Sequence, residues 1–178
     1  SRYRIGIYVE NIVVGMPISG RGADYLETLG MFVNTIALRN KPVGTKTVVD
    51  FLQEVKTNSV DAIKYQDYPY GELVKKLNIE VGGRNPLFDV MLAYQSFEMT
   101  DIRFSDKKVE LIPLTAASSK CDITLNILPR KDDVVLAIEY CTDLFKEDKI
   151  LEFAQTYIHL LEACLDEDKC IKDVSVID

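Results

Sequence analysis

Residues 121–141, CDITLNILPRKDDVVLAIEYC, constrain the fold more tightly than any other stretch of the chain. On both sides of the polar quartet Arg130-Lys131-Asp132-Asp133, residues alternate as they do in a strand with one buried face. A four-residue loop pairs Pro129 with Val134. It then sets Ile127 opposite Leu136, Leu125 opposite Ile138 and Ile123 opposite Tyr140. One face of this hairpin is wholly apolar. The other carries Asp122 with Cys141, Thr124 with Glu139 and Asn126 with Ala137.

The same register bears on the cysteines, which are Cys121, Cys141, Cys164 and Cys170. Cys121 falls on the apolar face and Cys141 on the other, so strand alternation separates the two sulfurs. Reduced thiols are expected, in a reducing, cytoplasmic compartment. The spacings lack the paired short intervals of a zinc site, and the single histidine, His159, is the one imidazole available, so no metal site is expected.

Strands and helices interleave along the rest of the chain. Asn11 to Met16 reads as a strand ended by Pro17 and a Ser-Gly-Arg-Gly turn, and Met31 to Leu38 as a second. Val48, Phe51, Leu52, Val55 and Ala62 then fall on one helical stripe, which Thr45 or Thr47 caps. A short helix covers Tyr70 to Leu77 before the Gly82-Gly83 break. The run from Asn85 to Ser96 reads as a strand, and 102–104 and 109–111 as further strand candidates. Ile150, Phe153, Ala154, Tyr157, Ile158, Leu161 and Leu165 share a face of a long helix, with Glu152, Gln155, His159 and Glu162 off it. The reading is one α/β domain, a mixed β-sheet packed with helices.

The formal charge of −7 leaves no basic footprint for nucleic acid and no polybasic segment for anionic lipid. No apolar stretch approaches the roughly 20 residues that span a bilayer. Phosphate-binding glycine loops and the Gly-x-Ser-x-Gly elbow are missing, and the Gly15 to Gly22 segment holds a proline and no lysine. Asp132-Asp133 and Glu167-Asp168 sit in a turn and at a helix end, where charge means solvation. No nucleophile, base and orienter assemble from these residues. The chain opens on Ser1-Arg2-Tyr3-Arg4 without a Met, and is read as a piece of something longer.

Four ordered motifs carry a resemblance: NIVVGMPISGR (11–21), LGMFVNTIALR (29–39), YQDYPYGELV (65–74) and RNPLFDVMLAYQ (84–95). With KCDITL (120–125) and YCTDLF (140–145), they resemble the second half of the condensation domain of non-ribosomal peptide synthetases, over nearly the whole chain. The resemblance implies one of two chloramphenicol-acetyltransferase-like lobes, with residues 1–178 as the C-terminal subdomain and the N-terminal lobe absent. It implies amide-bond formation between thioesters held on phosphopantetheine arms of donor and acceptor carrier domains. The family's His-His-x-x-x-Asp-Gly signature does not occur in this sequence, so no catalytic residue is assigned.

What the resemblance assigns instead is a tunnel wall. Met16, Ser19, Asn34 and Gln95 are its candidate lining residues. Asn34 and Gln95 equally satisfy a structural hydrogen-bond requirement, and for Gln95 the structural bond is favoured. Arg21 and Arg39 are read as buried or lobe-bridging ion-pair partners. The chain departs from the family pattern at Tyr65, Met16 and Cys121, and Met16 replaces a hydroxyl with a soft apolar contact. Two other classes compete. A non-catalytic module on the same scaffold would only dock a carrier protein. A self-sufficient acyltransferase needs His-x-x-x-Asp, whereas the chain reads His159-Leu-Leu-Glu-Ala163. Apolar surface at 16–18 and 32–36 is expected to drive homodimerisation when the missing lobe is not present.

Overall fold

The computed structural model describes residues 11–79, 82–95, 103–104, 107–108 and 119–174. Its centre is a mixed sheet of β1 (Ile12–Ser19), β2 (Val33–Asn40), β3 (Val90–Tyr94), β6 (Ile123–Pro129) and β7 (Val134–Tyr140), in the order β2-β1-β3-β6-β7. The outer pairs β1/β2 and β6/β7 are antiparallel, and β3 runs parallel to both its neighbours. Two short strands, β4 (Arg103–Phe104) and β5 (Lys107–Lys108), pair separately. Helices α1 (Val48–Lys64), α2 (Tyr70–Lys76) and α3 (Glu147–Ala163) and two short 3-10 turns, Ala23–Tyr25 and Ile171–Asp173, complete the described elements.

The β6/β7 hairpin has the register the alternation dictates, from Ile123↔Tyr140 to Pro129↔Val134. Its apolar face continues across the sheet. Paired residues on adjacent strands point the same way, so Ile123 and Leu125 share a side with Val90 and Leu92. The bridge Gly15↔Met91 extends that side to Val14 and Met16, and through β1/β2 to Ile36 and Leu38. Ile36, Leu38, Ile123 and Leu125 are all buried. Helix α1 packs on this side: Asn58 donates to the Asn40 side chain at 2.9 Å and to the Arg39 carbonyl at 3.1 Å.

The helix ends have local causes. Thr47 caps α1, its hydroxyl accepting from Asp50 N at 3.2 Å. Val48 N and Val49 N, two donors a helix start leaves without partners, bond to the Lys169 and Glu167 carbonyls. The segment after α3 is thereby pinned to the start of α1, with Thr47↔Cys170 as a bridge. Asn78, just past α2, takes φ 50°, the left-handed turn that ends a helix.

Several expected boundaries shift. β1 continues through Pro17, which lies opposite Thr35, to Ser19. β3 starts only at Val90, because Asn85 Oδ1 accepts from Leu87 N at 3.1 Å and Phe88 N at 3.3 Å and folds 85–88 into a turn. α2 ends at Lys76. The strand candidates at 102 and 109–111 lie outside the described residues. The hairpin's polar face is not fully solvated: Asp122 and Thr124 are both buried. The expected apolar patch also differs, since Ile36 is buried under α1 and Met16 and Ile18 are half-buried. Beside these, Val33 at the start of β2 is 61% exposed, and in the β1–β2 loop Leu29 is 99% and Met31 89% exposed.

Candidate functional site

The sheet has two faces of different character, and the expected tunnel residues divide between them. Met16 lies opposite Ile36, and Asn34 opposite Ile18, so both fall on the helix-covered side. Ser19, opposite Val33, falls on the other side. Gln95 follows the alternation of Met91 and Ala93 to that same side. Ser19, at the end of β1, and Gln95, just beyond β3, thus share one end and one face of the sheet.

Asn34 makes three hydrogen bonds. Its Nδ2 donates to the Gln66 carbonyl and, at 3.4 Å, to that of Tyr68, while its Oδ1 accepts from Thr35 N at 2.8 Å. It fastens β2 to the α1–α2 connection. Ser19 is exposed, its hydroxyl accepting from Arg21 N at 3.4 Å, and Gln95 N bonds to the Ile127 carbonyl at 3.0 Å.

The two arginines make local contacts. Arg21 donates to the carbonyls of Tyr25, Thr28 and Gly30, and its guanidinium lies 4.2 Å from the centre of the Phe32 ring. It organises the β1–β2 loop from inside. Arg39 is exposed and donates to Asn11 Oδ1 at 2.8 Å.

The face away from α1 mixes short and polar groups with apolar ones, Val33, Met91 and Leu128 among them, and the Phe88 ring lies over it at Gly15. Gly15, Pro17 and Ser19 of β1 stand beside Thr35 and Ala37 of β2, and Met91 stands beside Thr124.

At the opposite end of the strands lies a cavity of about 250 Å³ that the sequence did not disclose. Three segments meet there: the 83–89 turn, residues 119–122 and residues 141–144. Arg84 Nη1 stands 3.5 Å from Asp122 Oδ2, and Tyr70 donates to Asn85 Oδ1 at 2.6 Å. Burial pushes the Tyr70 phenol and the Cys121 thiol up, Cys121 being raised further by Asp122. Cys121 and Cys141 both border this cavity, because one precedes β6 and the other follows β7, where strand alternation no longer separates them. Both are free thiols. Asn85 and Pro86 are turn-forming residues at the head of the run read as a strand. Nothing in the sequence signalled that three separate segments would enclose a space.

Among the described residues no group of three His, Cys, Asp or Glu could hold a metal ion, and no helix is long and apolar enough to cross a membrane. His159 is exposed on α3.

Comparison with known proteins identifies the family. A sequence model described as Condensation domain matches residues 9–176. Bacitracin synthase 1 of Bacillus licheniformis is 40% identical over 171 residues, covering 94% of this chain and 3% of that protein. Tyrocidine synthase 3 of Brevibacillus parabrevis matches with the same identity and the same coverage. The chain therefore spans a small fraction of these relatives. A substituted form of the starter condensation domain of rhizomide synthetase RzmA superposes with a TM-score of 0.80 at 17% identity, covering 96% of this chain and 40% of that one. The chain belongs to the condensation-domain family of non-ribosomal peptide synthetases.

Proposed function

We propose that residues 1–178 form the C-terminal lobe of a condensation domain that works in the cytoplasm, supplying one wall of the tunnel in which two carrier-bound substrates meet. The observation that carries this reading is the sheet face away from α1, short-chained from Gly15, over which the Phe88 ring lies, to the exposed Ser19, and backed on its other side by a helix-packed core. The match to about 40% of a starter condensation domain fits a single lobe. In this reading Ser19 and Gln95 border the tunnel, while Met16 and Asn34 brace the wall from behind.

The reaction joins an acceptor amine to a donor acyl thioester. The C–N bond forms, the C–S bond breaks, the arm's thiol leaves and the amine gives up a proton. The phosphopantetheine arms of the two carriers bring both reactants. This chain's part is to hold them in line, because its sequence has no His-His-x-x-x-Asp-Gly to take the proton. That group belongs to the partner lobe.

The exposed β1–β2 loop is the element that reaches toward that lobe. A loop presenting Leu26, Leu29 and Met31 to water is poorly suited to a free surface, and Arg21 holds it in shape from within.

The test is to mix the chain with loaded donor and acceptor carriers, with and without an N-terminal lobe bearing the two-histidine signature, and to look for dipeptidyl thioester by mass spectrometry. Product is expected only when both lobes are present. Product from the chain alone would overturn the reading. Carriers retained by the chain without product in any combination would favour the docking module.

A further inference from the structure

Helix α3 carries a second apolar line beside the one it turns to the core. Leu151, Ala154, Ile158 and Leu161 of the helix, continued by Leu165 in the turn just after it, recur at alternating intervals of three and four, the spacing of a helix-pairing seam. Leu151 is 60% exposed, Ile158 46%, Leu161 49% and Leu165 81%, whereas Ile150 on the neighbouring stripe is 6% exposed. The core therefore takes one stripe and leaves the next one open.

The two flanks of the seam differ. On one side Ile150, Tyr157 and Cys164 are buried or half-buried within this chain. On the other, Asp148, Gln155 and Glu162 are exposed. Lys149, the nearby cation, is engaged with Glu152 at 2.7 Å. The free flank is acidic.

We propose that this seam docks an amphipathic helix of another protein or domain whose apolar stripe is flanked by Lys or Arg. The apolar spacing supplies the contact area, and the acidic flank selects the charge of the partner. A second copy of this chain fits poorly. Two α3 seams packed antiparallel would set Asp148, Gln155 and Glu162 against the same three residues, acid against acid, and each chain carries a net charge of −7. The inference rests on α3 alone and is independent of the tunnel reading.

The experiment titrates the full chain, at low salt, with two labelled synthetic helices that share one Leu stripe, one flanked by Lys and the other by Glu, followed by fluorescence anisotropy. The Lys-flanked helix is expected to bind at least about tenfold more tightly, equivalent to about 1.4 kcal/mol. Ile158→Ser and Leu165→Ser should each weaken it several-fold. Leu165 lies beyond the last residue of α3, so its variant keeps the helix, which circular dichroism verifies. Asp148→Lys combined with Glu162→Lys should invert the preference. Equal affinity for the two helices, no binding of the Lys-flanked one, or indifference to both serine variants overturns the proposal. So does a chain that sediments as a dimer dissolved by Ile158→Ser, since the occupant is then a second copy.

Discussion

Phe88 occupies the space that a side chain on Gly15 would need: a Cβ built there would meet the Phe88 ring at 2.2 to 2.7 Å. Gly15 is also the β1 residue bridged to Met91 of β3. The absence of a side chain therefore lets the ring of the 85–88 turn close over the junction between the two strands. Gly15→Ala must push a buried ring or part the strands, and should cost about 1–3 kcal/mol. Urea unfolding of the variant measures it. A loss below a few tenths of a kcal/mol would mean that the turn yields freely.

Tyr70 ties α2 to the same turn through Asn85, and its ring meets Phe88 edge-on at 5.9 Å between centres. Tyr70→Phe should cost about 0.5–1.5 kcal/mol at neutral pH. The pH dependence has a definite sign. Burial raises the folded-state pKa above the ordinary 10.0, so the neutral phenol is favoured in the folded protein. Its contribution is whole below pH 10 and fades as the pH rises through the raised value. The stability gap between wild type and Tyr70→Phe should hold steady at neutral pH and narrow above pH 10, as read by unfolding curves at several pH values.

Asn34→Ala removes the donor to the Gln66 and Tyr68 carbonyls. A cost of about 1–3 kcal/mol is expected, with a melting point several degrees lower. An unchanged melting point together with lost turnover in the two-lobed domain would instead assign Asn34 to the substrate path.

The hairpin register was legible because one period, counted from one loop, fixes every pair from Ile123↔Tyr140 to Pro129↔Val134. The cap, narrowed to Thr45 or Thr47, and the existence of α3 were legible for the same reason: each depends on neighbours in sequence. What escaped depends on tertiary meetings. Nothing local tells that Asn34 will find carbonyls at 66 and 68, that Arg21 will turn inward onto its own loop, or that residues 83–89, 119–122 and 141–144 will enclose a cavity. Met16 and Asn34 could be placed in strands from sequence, but the face they take follows from where α1 lands.

The four thiols should differ in reactivity. Cys121 is buried, and burial together with Asp122 holds its thiol above the ordinary pKa, so little thiolate is present. Cys141, Cys164 and Cys170 are only half-buried. Timed alkylation of the native chain, followed by peptide mass spectrometry, should label Cys121 last. Labelling of Cys121 ahead of the other three would show that the cavity wall opens readily.

The β1–β2 loop offers a test of the lobe reading that folding cannot confound. Leu29 is 99% exposed, so Leu29→Asp removes no buried contact within the chain and should change its stability by no more than about 0.5 kcal/mol. If the loop meets an N-terminal lobe, the same change buries a carboxylate in an apolar contact and should weaken association of the two lobes at least tenfold. Arg21→Ala is the complementary variant. It frees the carbonyls of Tyr25, Thr28 and Gly30 and removes the cation from the Phe32 ring, loosening the loop without altering its apolar residues. Association should fall there too, through lost preorganisation rather than lost contact. Calorimetric titration of the two lobes reads both effects. Undiminished association in Leu29→Asp, with the variant's own melting curve unchanged, would take the loop out of the lobe interface.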